Sequence, residues 1–121
     1  VVFDEPDASL YARAMLDAPS ASISAGNILE AFIVTDGRRS DILSAKAGEI
    51  VEGLRLEIVP LTDIHVVLAR QAYREYGKGN HPAALNFGDC IAYALAKATG
   101  EPLLFKGNDF SRVDVRAALI R

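Results

Sequence analysis

Three carboxylates, Glu30, Asp89 and Asp109, are the residues of this chain best suited to chemistry. Side chains of this kind, if clustered, repel one another and rise in pKa unless a cation holds them. Their surroundings narrow the choice of ion. Cys90 is the only cysteine and His65 and His81 are the only histidines, so hard oxygen ligands point to Mg2+ or Mn2+ rather than zinc. A divalent ion on carboxylates activates water and offsets the charge that builds on a phosphate during in-line attack. Metal-assisted phosphodiester hydrolysis is the matching reaction class. Each residue also has an ordinary structural reading: Asp89 as a helix cap, Asp109 as a turn residue after Gly107-Asn108, and Glu30 as a solvated helix residue. Glu30 fits its ordinary reading least, lying among Ile28, Leu29, Ala31 and Phe32.

To act together the three must share one rim, and an open parallel sheet supplies one at the carboxyl ends of its strands, beside the helix N-termini. The order of elements suits this. Asp4, Glu5 and Pro6 open a helix that runs through Leu10, Ala14 and Leu16 to about Asp17. A short strand over Ala21-Ser22-Ile23-Ser24 hands over to a second helix, with Ser24 as N-cap and Gly37 as stop, on which Ile28, Leu29, Phe32 and Ile33 recur at helical spacing. Ser40 and Asp41 cap a third helix carrying Ile42, Leu43, Ala47, Ile50, Val51 and Leu54, its end loosened by Gly53. Leu56, Ile58 and Val59 form a strand closed by Pro60. Thr62 or Asp63 opens a fourth helix through Val66, Leu68, Ala69 and Tyr73 to Gly77. After a polar loop, Gly77-Lys78-Gly79-Asn80-His81-Pro82, a fifth helix starts between Asn86 and Asp89 and stops at Gly100. The apolar run Pro102-Leu103-Leu104-Phe105 then reads as a buried parallel strand. Short strands alternating with helices predict an α/β fold with a central parallel sheet flanked by helices.

The 121 residues suit a single domain over 1–121. Half are hydrophobic and 24% charged, a globular composition that argues against disorder. No apolar stretch approaches the roughly 18 residues of a membrane span, and the lone thiol suits a reducing compartment, so the reading is soluble and cytoplasmic. The formal charge of −3 counts against a nucleic-acid partner. Glu30, Asp89 and Asp109 would account for all of that excess, and cations bound to them remove the objection.

The run Leu85-Asn86-Phe87-Gly88-Asp89-Cys90, with Ala92-Tyr93-Ala94-Leu95-Ala96-Lys97 and Pro102-Leu103-Leu104-Phe105-Lys106-Gly107-Asn108-Asp109-Phe110, resembles the C-terminal half of the PIN-domain toxins of bacterial toxin–antitoxin modules, the VapC group. Gly77-Lys78-Gly79-Asn80-His81-Pro82-Ala83, Leu29-Glu30-Ala31 and Asp4-Glu5-Pro6-Asp7 are similar to that group as well, so the resemblance covers essentially the whole chain. It implies a three-layer α/β/α domain and a Mg2+- or Mn2+-dependent endoribonuclease toxin, neutralised by a cognate VapB-like antitoxin and acting as a homodimer. It also implies a metal pocket in which Glu30, Asp89 and Asp109 match three of the family's four acidic positions. The fourth is an Asp closing a first strand ahead of the Asp4-Glu5-Pro6 helix, and it is expected upstream of residue 1.

Lys78, His81 and Lys106 are candidate RNA contacts; Ser24, Asn27 and Asp114 are candidate supports of the pocket. His65 reads as a helix-face residue. Cys90 reads as a buried core thiol, and Tyr73 and Tyr76 as packing and rim residues. Two alternatives stand beside the ribonuclease. One is a catalytically defective PIN-like module that binds or dimerises. The other, a phosphate-transfer or receiver-type domain, lacks a glycine-rich phosphate loop and an Asp after a first strand.

Overall fold

The computed structural model describes residues 13–14, 21–77, 79 and 81–103. Arg13 and Ala14 are helical; the rest of the expected first helix, Leu104-Phe105 of the last expected strand, and Lys78, Lys106, Asp109 and Asp114 lie outside the described residues. The chain divides into two compact units, Val1–Val59 and Pro60–Arg121. No helix among the described residues is long and apolar enough to cross a membrane.

In the first unit, strand β1 (Ser22–Ser24) is followed by helix α1 (Ala25–Asp36), helix α2 (Asp41–Gly53) and strand β2 (Glu57–Val59). The strands pair parallel, with Ser22 opposite Glu57, Ile23 opposite Ile58 and Ser24 opposite Val59. Parallel neighbours need a crossover, and α1 with α2 forms it. Capping fixes where the helices start. The Ser24 hydroxyl accepts the Gly26 N–H at 3.3 Å, and the Ser40 hydroxyl accepts the Leu43 N–H at 3.2 Å. The turn between the helices is closed by a 2.7 Å hydrogen bond from the Ser44 hydroxyl to the Asp36 carboxylate.

Ile28, Thr35 and Ala47 are buried in this unit. Thr35 satisfies its hydroxyl within its own helix by donating to the Phe32 carbonyl at 3.0 Å. The expected apolar stripe of α1 is only partly inward, for Leu29 and Ile33 are exposed. Gly53 remains helical. The left-handed residue that ends α2 is Arg55, at φ +54°.

The second unit contains helix α3 (Asp63–Tyr76) and helix α4 (Phe87–Thr99), packed on each other. Thr62 caps α3 through the His65 N–H at 3.4 Å. Gly100, at φ +73°, ends α4 in the left-handed conformation that glycine adopts without a side-chain clash. The core between the helices consists of Ala72, Ala83, Leu85, Cys90 and Tyr93, with Ala69, Tyr76, Ala92 and Leu103 packed against it.

The four residues expected along α3 divide, Leu68 and Ala69 being half-buried and Val66 and Tyr73 facing outward. Val66 and Tyr73 are exposed, whereas His65 and Ala72 are buried and Ala69 and Tyr76 are half-buried. His65, Ala69, Ala72 and Tyr76 fall at helical spacing, so the inward stripe lies on the neighbouring face. Apolar bulk favours Val66 and Tyr73, but alanines at 69 and 72 present less bulk to the neighbouring helix. His65 is therefore an inward residue, and its Nδ1 has no hydrogen-bond partner among the described residues.

Candidate active site

The carboxylate of Asp89 sits in the first turn of α4, on a residue that is half-buried between two buried neighbours, Gly88 and Cys90. Asn86 is the N-cap, and the two residues satisfy each other. The Asn86 side-chain oxygen accepts the Asp89 N–H at 2.9 Å, and Asp89 Oδ2 accepts the Asn86 N–H at 3.0 Å. Asp89 is thus the third helical residue of a capping box rather than the N-cap itself.

Asn86 is itself held from behind. Leu85 is fully buried, and its N–H donates to the Tyr76 carbonyl at 2.9 Å, so the residue before the cap is tied to the last residue of α3. The loop before it is also fastened. His81 Nδ1 accepts the Ala83 N–H at 3.0 Å, the His81 carbonyl accepts the Ala84 N–H at 2.9 Å, and the His81 ring stands edge-on to Tyr76 with centroids 5.1 Å apart. An Nδ1 that accepts leaves the neutral ring's proton on Nε2. Tyr76 also packs against the core and lies 6.0 Å from the Tyr93 ring.

Cys90 is buried, as expected for a core thiol. Burial, and after it the charge of Asp89, push its thiol above the usual 9.0, away from the thiolate a nucleophile requires.

Glu30 lies on α1 in the first unit and is exposed. Ser24 is 1% exposed and serves as the cap of α1, and Asn27 is half-buried in that helix's first turn. Asp109, Lys78, Lys106 and Asp114 fall outside the described residues. Within the described residues no three of His, Cys, Asp and Glu form a metal-holding group. The bond from the Asn86 N–H holds the Asp89 carboxylate through Oδ2 at the start of α4. Asn86 was not among the sequence candidates, although Asn-x-x-Asp ahead of an apolar run is the pattern of a reciprocal cap.

The sequence model of the PIN domain family matches residues 1–116 and so spans both compact units. The VapC ribonuclease Mb0625 of Mycobacterium bovis and ribonuclease VapC28 of Mycobacterium tuberculosis are each 44% identical over 122 residues, covering 100% of this chain and 92% of the relative. Ribonuclease VapC of Mycolicibacterium smegmatis is 41% identical over 117 residues, covering 97% of this chain and 91% of its own. The alternating helices and parallel strands are those of an α/β PIN fold. Matched along nearly its whole length by the family and by these relatives, the chain belongs to the PIN-domain family, in its VapC ribonuclease group.

Proposed function

We propose that this protein is an endoribonuclease toxin that hydrolyses RNA phosphodiester bonds with Mg2+ or Mn2+ held by Glu30, Asp89 and Asp109. The observation that carries the reading is the Asp89 carboxylate, oriented by the Asn86 N–H at the start of α4, in a chain that belongs to the VapC group. When bound, such an ion offsets the negative charge that develops on the phosphate during in-line attack. Asp89 supplies a fixed anionic oxygen at a helix N-terminus. Glu30, on α1, adds an exposed carboxylate, and Asp109 completes the set of hard ligands. His81, with Nδ1 occupied by the loop, offers Nε2–H to a substrate phosphate alongside Lys78 and Lys106. No metal-independent nucleophile is needed, and the buried protonated thiol of Cys90 does not supply one.

The partners in this reading are RNA, a cognate VapB-like antitoxin and a second copy of the chain, in the cytoplasm. Leu29 and Ile33, one turn apart on α1, are 58% and 61% exposed, giving the first unit an apolar stripe suited to a partner's side chains. The test is cleavage of an RNA substrate by the full chain with and without EDTA. Loss of cleavage in EDTA and its return with Mg2+ or Mn2+ support the reading; cleavage that continues in EDTA refutes the metal requirement.

A further inference from the structure

We infer that Phe87 is a stacking platform for an RNA base: its ring, standing in solvent at the start of α4, carries an unpaired base of the strand that is cut beside it. This deepens the ribonuclease reading and rests on it. From Gly88 to Ala96 every residue of α4 is buried or half-buried, yet Phe87, the helix's first residue, is 79% exposed. Among the described aromatic residues none is as open; Tyr73 follows at 48%. A single apolar side chain in solvent is ordinary. The position of Phe87 is what sets it apart, because unpaired bases are held by stacking on aromatic side chains, a contact that every base can make.

Asp89 follows Phe87 in the same first turn. Helix geometry puts their Cα atoms about 5.5 Å apart and sends the two side chains to different sides, so a base on the ring lies beside the carboxylate without covering it. The ring's carrier is rigid. Leu85, two residues before it, is fully buried and donates its N–H to the Tyr76 carbonyl at 2.9 Å, and the helix after it is embedded in the core. A ring on a fixed backbone has little freedom left to lose on binding. The surroundings suit a base better than a protein surface. The exposed residues Leu61, Ile64, Val66 and Val67 gather at the start of α3, whereas α4 begins beside its end at Tyr76. From Val67 to Tyr76 the helix rises about 13 Å, and of the exposed apolar residues of this unit only Tyr73 lies nearer that end. A protein interface needs a broad patch, about 800 Å2 on each partner, while a base needs one face of one ring.

The chain has no tryptophan, so Phe87→Trp gives it a single indole reporter at the ring's own place. The experiment follows the emission of this full-chain variant on mixing with a single-stranded oligoribonucleotide in Mg2+. Cleavage kinetics and sedimentation are measured alongside for wild type, Phe87→Trp, Phe87→Leu and Phe87→Ala. The expected result is immediate quenching in Phe87→Trp with KM kept near the wild-type value. Phe87→Leu and Phe87→Ala should each raise KM about 10-fold or more, the change falling on KM rather than kcat, at unchanged sedimentation. Leucine supplies apolar bulk without a π face, so it restores a ring that only packs and fails to restore one that stacks. Cleavage with wild-type KM in Phe87→Ala, and no quenching in Phe87→Trp, overturns the stacking role and leaves the ribonuclease standing. Altered sedimentation of Phe87→Ala at unchanged KM assigns the ring to a protein contact and overturns the stacking role too. Quenching without cleavage by wild type overturns the ribonuclease and keeps the platform, and the absence of both overturns both.

Discussion

Gly77 and Leu85 face each other in a parallel bridge at the base of the loop that leads to Asn86. Gly77 is required there by close approach and not by backbone conformation, since its φ is −67°. A side chain at position 77 would run into the Tyr73 carbonyl and ring. Gly77→Ala is therefore expected to cost about 1–3 kcal/mol, the usual penalty of overpacking. Urea unfolding monitored by circular dichroism reads it; an unchanged midpoint would show that the end of α3 yields without cost.

Arg55 ends α2 at φ +54° and is exposed, so a glycine there removes the left-handed penalty and loses little packing. Arg55→Gly is expected to raise stability by about 0.5–1 kcal/mol, the conformational gain being partly offset by a freer unfolded chain. The urea midpoint should rise with the slope unchanged. A fall in the midpoint would mean that Arg55 makes interactions worth more than its strain.

The pH dependence contributed by Cys90 has a definite sign. Its folded thiol is raised above the usual 9.0 by burial and then by Asp89, so between that value and the folded one the native chain holds a proton the unfolded chain has released. The contribution is complete below about 9 and is lost as pH climbs through the folded value. Wild type should therefore lose stability more steeply than Cys90→Ala on the alkaline side, in paired urea titrations across that range. Parallel curves would contradict this. At neutral pH the same burial should leave the thiol slow to react with iodoacetamide until the protein unfolds.

Much of this architecture was readable from residue types. Ser24, Ser40 and Thr62 announce their helices because a hydroxyl just before an apolar periodic run can satisfy an unpaired N–H, and all three are caps. Gly100 stops its helix in the left-handed form for the reason glycine usually does. The inward face of α3 was less legible. Of the residues expected along α3, Ala69 packs against the core with Ala72, while Val66 and Tyr73 are exposed and His65 is drawn inward. Gly53 read as the loosened end of α2 and is its last helical residue, with the left-handed turn following at Arg55. Asp89 stood out as a carboxylate at a helix start, whereas Asn86 did not, although Asn-x-x-Asp ahead of an apolar run is the pattern of the reciprocal cap that the two residues form.

The central claim is that Glu30, Asp89 and Asp109 jointly hold the ion that cleaves RNA. It is tested most directly by the anomalous scattering of Mn2+ in crystals of the full chain, collected for wild type and Asp89→Asn. The account predicts a peak bonded to all three carboxylates in wild type and missing in the variant. A Mn2+ peak away from these residues, or one that persists unchanged without the Asp89 carboxylate, would contradict it.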